Sequence, residues 1–418
     1  MNTSNVAGFY KLSVDERISV IRSFADLDDA DVALLHGEQG LKLESAAKMV
    51  ENVIGRMEIP FGVAANFKIN GKDYFVPMCT EEPSVIAAAS HAAKLTLSRG
   101  GFQASNSGPV MIAQIQTVNV KDPFRAKLAI LENRDEIIAR ANEMDPVLVK
   151  FGGGARDVEV RVLDSDTGPM IITHLIVDTR DAMGANAVNT MAEALAPFIE
   201  KITGGKVFLR ILSNLAVRRL ARVRCTIAKE ELGGEEIVDA IRHAYAFAKT
   251  DPFRATTHNK GIMNGITAVV LATGNDTRAI EAGCHAYAVK DGRYSSLTVW
   301  EKNSNGDLVG SLECPMAVGI IGGATATHPM AKLALKILGM PNAVQLAEII
   351  VATGLAQNLA AIRVLATEGV QRGHMALHAR NIAINAGATG DMVDKIAAIM
   401  AKEHRVNVAR AQELMKGM

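Results

Sequence analysis

Cysteine is scarce in this chain: Cys79, Cys225, Cys284 and Cys314 are scattered through 418 residues without a C-x-x-C spacing. That excludes a disulfide framework and a zinc site, so no metal is expected, and it fits a reducing compartment such as the cytoplasm. Aromatic residues make up only 4% of the sequence, too few for a protein that stacks on nucleic-acid bases. Net charge is missing as well. Lys+Arg and Asp+Glu each total 45, so no global field draws the chain to nucleic acid or to anionic lipid. No basic segment followed by an apolar core marks a signal peptide. The best membrane candidate, the uncharged run from Cys314 to Ala331, is broken by Pro315, Pro329, His328 and glycines, so no spanning helix is expected there. Repeats and low-complexity linkers are absent. So is a G-x-G-x-x-G after a strand, the mark of a Rossmann nucleotide site. Gly152-Gly153-Gly154 precedes a strand instead and suits a turn.

What is present is a long chain with room for two or three domains. Ser13-Val14-Asp15-Glu16 is a capping box opening a helix, and a second helix is expected from Leu43 to Arg56. Asn70-Gly71 joins two strand-like stretches, Gly62 to Ile69 and Asp73 to Met78. Pro83 stands where a helix accepts proline, at its first position. Residues 109–215 have an order of their own. Strands at Val110 to Val118, Asp157 to Leu163, Met170 to Val177 and Lys206 to Leu212 alternate with helices at Asn133 to Glu143 and Ala185 to Ile202. The string β-α-β-β-α-β is the ferredoxin-like order. The expected fold is α+β: a large mixed domain from residues 1–108 and 216–368, this small domain inserted at 109–215, and a helical tail over 369–418.

Thr257-His258-Asn259-Lys260-Gly261-Ile262-Met263-Asn264-Gly265 sets one lysine among small and amide residues, and Asp276 follows an apolar run. Glycines admit a ligand close to the backbone and asparagines orient it. The same stretch also reads as a Gly-rich loop leading into a core helix. The segment Asp251 to Gly261 closely resembles the 3-hydroxy-3-methylglutaryl-coenzyme A (HMG-CoA) reductases. Four further blocks agree, in the family's order: Glu51-Asn52-Val53-Ile54-Gly55, Glu81-Glu82-Pro83-Ser84, Asp181-Ala182-Met183-Gly184-Ala185-Asn186 and Gly373-His374-Met375. Pro83 and Ala185-Asn186 look like the soluble class II enzymes.

The resemblance implies two hydride reductions of HMG-CoA to mevalonate and coenzyme A. Lys260 would stabilise the oxyanion, since an ammonium stays charged at neutral pH. Glu82 would protonate the aldehyde-level intermediate, with Glu81 as its rival. Asp276 would neighbour Glu82 and orient Lys260, while also reading as a plain helix cap. His374 would protonate the departing thiolate, with His378 one helical turn later as the competing histidine. Ser84, Arg254 and Asn264 match contacts to the acyl group. Asp181, Met183, Gly184 and Asn186 open a helix whose free N–H groups suit a pyrophosphate, and Asn214 matches a cofactor contact. Asp145 matches the position that meets the adenosine ribose in NADH-using members, so NADH is expected, with NADPH the alternative. Gly322-Gly323-Ala324-Thr325 has no assigned role. The family further implies a homodimer, or an assembly of dimers, with shared active sites and a tail that acts as a flap. The same catalyst run oxidatively with NAD, or a non-catalytic sensor of acyl-CoA or nucleotide, are the competing functions.

Overall fold

Two sheets organise the molecule, and the hydrophobic alternation of their strands decides which faces are covered. The strands are β1 (Phe61–Ile69), β2 (Lys72–Cys79), β3 (Phe102–Asn106), β4 (Val110–Val118), β5 (Gly154–Leu163), β6 (Met170–Asp178), β7 (Lys206–Leu212), β8 (Leu220–Ile227), β9 (Val289–Lys290), β10 (Arg293–Tyr294), β11 (Thr298–Lys302) and β12 (Leu308–Pro315). The computed structural model describes residues 3–38, 40–367, 369, 379–403 and 405–417. The larger sheet is six-stranded, in the order β11-β12-β8-β3-β1-β2. The smaller runs β5-β6-β4-β7, which is the ferredoxin-like order, with the helix Ala185–Thr203 buried on it through Val188, Met191 and Leu195. The fold is thus α+β. β3 and β8 tie the centre of the large sheet and fall outside the strands expected above. In β8 the period of two is plain, with Ala221, Val223, Cys225 and Ile227 buried and Arg222, Arg224 and Thr226 between them.

The core of the large domain is the helix Ala343–Ala366, opened by a reciprocal Asn342–Gln345 capping box. It is long and apolar enough to cross a membrane, but 67% of its apolar window is buried inside the molecule. Against it lies Pro252–Ala272, one continuous helix capped by Asp251, so Lys260 stands on a helix and not on a loop. Gly265 serves that packing. A Cβ there would lie 2.8 Å from both Gln357 Cβ and Thr353 O, so the glycine lets two helices meet and admits no ligand.

Several boundaries differ from expectation. The second helix ends at Met49, and Asn52 takes a left-handed φ of 57°, leaving Ile54 98% exposed. The helix expected to begin at Pro83 begins at Val85, because Ser84 adopts φ 78° as its N-cap. An additional helix, Pro123–Glu132, is capped by Asp122 with Pro123 in its first turn. In the tail, Asp391–Lys402 and Val408–Lys416 bury Ile396, Met400 and Ala411 in a cluster separate from the main core. His374, Met375 and His378 lie outside the described residues.

Candidate active site

Two buried neighbours set the rotation of the lysine helix. Asn259 donates to Ser295 O (2.9 Å) and accepts from Leu297 N (3.0 Å), so this amide serves the fold. His258 Nε2 lies 2.7 Å from Thr298 Oγ1 and accepts from Asn358 Nδ2 at 3.2 Å. Burial, with Arg254 nearby, pushes the imidazole down to about 3, so it is neutral and structural. With those two turned inward, Lys260 turns outward. Its Nζ donates to Glu82 Oε2 at 2.9 Å across 178 positions of sequence. Glu82 is held in the turn between β2 and the helix Val85–Thr96, its N–H bonded to Thr80 Oγ1. A positive group and a carboxylate therefore meet at one point, at side-chain exposures of 60% and 36%.

Two cavities adjoin at Glu82 and Asn264, which line both. One, of about 300 Å³, is mostly apolar and runs between the helices Val85–Thr96 and Ala343–Ala366. Its polar lining is unsatisfied: among the described residues Ser84 Oγ, Gln357 Oε1 and Arg363 Nε are buried without a hydrogen-bond partner. His91 lines it too, its pKa lowered by burial first and then by Arg363 and Lys94. His91, Gln357 and Arg363 were not singled out from sequence. The i, i+3, i+4, i+7 spacing of Gln357, Ala360, Ala361 and Val364 was the available signal. The other cavity, of about 500 Å³, has a lining as polar as it is apolar and reaches Glu81, Thr277, Arg278 and Glu281. Arg254, nearly two turns before Lys260, has no ion-pair partner among the described residues, and burial lowers its pKa.

The expected contact of Asp276 with Lys260 and Glu82 is not formed. Asp276 caps the helix Thr277–Tyr287, accepting from Ala279 N at 3.1 Å, and lies 3.5 Å from Arg278. The reason is geometric. Lys260 sits about 18 Å along its helix from Ala272, where the turn to Asp276 begins. Asp276 belongs instead with the loop ahead of Ala185–Thr203. Asn275 Oδ1 accepts from Gly319 N (2.8 Å), and Gly319 packs on Met183 N. Gly184 is the N-cap of that helix at φ 103°, and no side chain caps it, so the first N–H groups, beside exposed Asn186, are left for an anion. Asp181 Oδ1 accepts from Ala343 N at 2.9 Å, which ties this loop to the start of the long helix. Asn214 packs on Gly283 of the Thr277–Tyr287 helix, and Asp145 caps Pro146–Lys150, accepting from Leu148 N at 2.9 Å. An uncapped helix start of this kind fits the pyrophosphate of a dinucleotide.

A lysine–carboxylate pair beside a largely apolar cavity, with an uncapped helix start on a ferredoxin-like sheet, is an arrangement that suits a reductase of carbonyl compounds. Residues 13–379 match the family hydroxymethylglutaryl-coenzyme A reductase. The chain is 57% identical to the 3-hydroxy-3-methylglutaryl-coenzyme A reductase of Archaeoglobus fulgidus, over 99% of this chain and 94% of that one. It is 36% identical to a probable reductase of Borreliella burgdorferi, over 91% and 89%. The structure of the class II reductase of Streptococcus pneumoniae bound to NADPH in open conformations superposes with a TM-score of 0.83 at 40% identity, over 97% of this chain and 99% of that one. The chain belongs to the hydroxymethylglutaryl-coenzyme A reductase family, in its class II. It is a nicotinamide-dependent oxidoreductase that reduces HMG-CoA to mevalonate and free coenzyme A.

Proposed function

We propose that Lys260 and Glu82 form the reacting centre of this reductase, and the 2.9 Å contact between them carries the reading. The nicotinamide supplies hydride twice. Each attack on a carbonyl carbon places negative charge on oxygen, and Lys260 stabilises it. At the aldehyde stage Glu82, in its acid form, delivers a proton to that oxygen, whereas the first adduct stays an oxyanion and collapses to the aldehyde with release of the thiolate. Arg254 pairs with the free carboxylate of the acyl group, and Ser84 and Asn264 hold its polar atoms, which accounts for the unpartnered Ser84 Oγ. His374 protonates the thiolate. A transfer from imidazole, ~6.5, to a thiolate near ~8.5 is downhill by about 2.7 kcal/mol.

Residues 109–215 serve as the cofactor unit, through Met183, Gly184, Asn186, Asn214 and Asp145. Residues 1–108 and 216–368 bind substrate and dimerise, and 369–418 close the site. The site is built from two subunits. Within one chain the cofactor loop meets Ala343, whereas Gly261, beside Lys260, meets Ala361, and these ends of the long helix are about 27 Å apart. Hydride transfer needs reacting atoms within about 3.5 Å. Lys260 and Glu82 of one subunit therefore work with the cofactor loop and Asp276 of its partner. The free thiols of Cys79, Cys225, Cys284 and Cys314 support a cytoplasmic setting.

The cofactor is NADH. Asp145 keeps a carboxylate oxygen for ribose hydroxyls and repels a 2′-phosphate. The neighbouring guanidiniums are already engaged, Arg180 with Gly152 O and Asp178, and Arg156 with Gly152 O and Asp178. Oxidation of NADH and NADPH by the purified protein with HMG-CoA tests this. NADH should give the higher kcat/KM, and Asp145→Asn should narrow the gap. A wild-type enzyme that prefers NADPH overturns the choice, and no oxidation of either overturns the function.

A further inference from the structure

Arg219 stands in the turn between β7 and β8, where the chain returns from the small sheet to the large one. It is 4% exposed, and burial lowers its pKa to about 10, so it stays charged. No carboxylate touches its guanidinium among the described residues. Its acceptors are oxygens of two loops. Nη1 donates to Thr179 Oγ1 (2.8 Å), Ala182 O (3.1 Å) and Met183 O (3.1 Å), and Nη2 donates to Val318 O. Its own carbonyl accepts from Met316 N at 2.9 Å. The loops it joins are locked further by Ile320 N on Asp181 O (2.9 Å) and by a bridge between Ala182 and Ile321. The fit leaves no slack, because a Cβ on Gly319 would collide with Met183 N.

A buried charge spread over three carbonyls and a hydroxyl is costly unless its geometry is kept. Two of those carbonyls, on Ala182 and Met183, belong to the loop whose next residues, Gly184 to Asn186, present free N–H groups, and the third, on Val318, belongs to the facing segment. We propose that Arg219 is a positioning residue for the nicotinamide cofactor: it fixes the 179–184 loop against the 316–320 segment, so that the helix start meets the pyrophosphate in one orientation. This rests on the reading of Met183 to Asn186 as the cofactor loop. Arg219 touches neither ligand.

The test measures the KM of NADH, the KM of HMG-CoA, kcat and the Tm of the intact enzyme and of three variants. Arg219→Lys keeps the charge and loses the fan of donors. It should raise the NADH KM about tenfold or more while the HMG-CoA KM stays within about twofold. Thr179→Val removes one acceptor with little change of shape, and should shift the NADH KM the same way by less. It carries the test if Arg219→Lys does not fold. Asn186→Ala probes the cofactor loop directly. If Asn186→Ala weakens NADH but the other two variants leave it unchanged, the positioning role alone is overturned. If all three leave NADH unchanged, the loop assignment falls and the proposal with it. Equal losses for both ligands, tracking the fall in Tm, reduce Arg219 to a structural residue and overturn the proposal as well.

Discussion

Lys260 and Ser84 show how differently two residues of one site stand toward stability. Lys260 is more than half exposed, so its ion pair with Glu82 contributes little to folding. Its worth lies in the transition state, where losing one such donor costs about 3 kcal/mol. Lys260→Ala should therefore lower kcat by about two orders of magnitude and leave the Kd for HMG-CoA within about threefold. A variant retaining more than about a tenth of wild-type turnover, a loss of ~1.4 kcal/mol, removes the oxyanion role. Ser84 is the opposite case. Its hydroxyl is buried without a partner, an arrangement that costs about 1–3 kcal/mol, and its backbone holds φ 78°. Ser84→Ala should hold or raise Tm while raising the KM for HMG-CoA about tenfold. A falling Tm with an unchanged KM would mean that the serine serves the fold.

At the scale of the element, the lysine helix and the tail both carry function by where they end. The tail buries its own cluster, and its ion pairs, Arg380 with Asp394 and Arg410 with Glu403 and Glu413, are internal. Such a unit can move as one body. Deleting residues 370–418 should leave the rest folded and abolish thioester reduction. Reduction of free mevaldehyde, which has no thiolate to protonate, should be less affected. Equal loss of both reactions, with the fold intact, would place the tail in hydride transfer itself. The elements were mostly legible in sequence because their signals are local. The Ser13 capping box and the hairpin at Asn70-Gly71 formed as read, and the helix expected from Ala185 to Ile202 runs one residue further, to Thr203. Less legible were features decided by distant partners. Asn259 and Gly265 read as ligand contacts, but one holds the β11 approach and the other fits against Thr353 and Gln357. Asp276 was expected beside Lys260 from the resemblance and as a helix cap from its own residues; the cap is formed, and within one chain a helix of 21 residues carries it away from Lys260.

For the whole molecule, the site proposed above falls into two halves. Glu82, Ser84, Arg254, Lys260 and Asn264 lie on one side of the chain. The loop at Met183 and Gly184 packs through Gly319 on Asn275, next to Asp276, and Asn214 packs on Gly283 of the following helix, while Thr277 and Arg278 reach back to the cavity that Glu82 and Asn264 line. An exposed apolar arm, with Ile54 at 98% and Met57 at 87%, offers surface for a second copy to cover. In a two-fold dimer each half would face its complement on the partner. Variants disabled in different halves should then rescue each other. Glu82→Gln subunits, inactive alone, and Asn186→Ala subunits, nearly inactive alone at NADH levels that just saturate the wild type, form one intact site in every mixed dimer. Random exchange should restore about a quarter of wild-type activity. Lys260→Ala with Asp276→Asn should complement in the same way. Glu82→Gln with Lys260→Ala, both in one half, should not, since every mixed site keeps one defect. If the same-half pair recovers as well as the opposite-half pairs, or no pair recovers although mixed dimers are seen by native mass spectrometry, the site is not divided between subunits. The Asp276 geometry would then require a large rearrangement within a single chain.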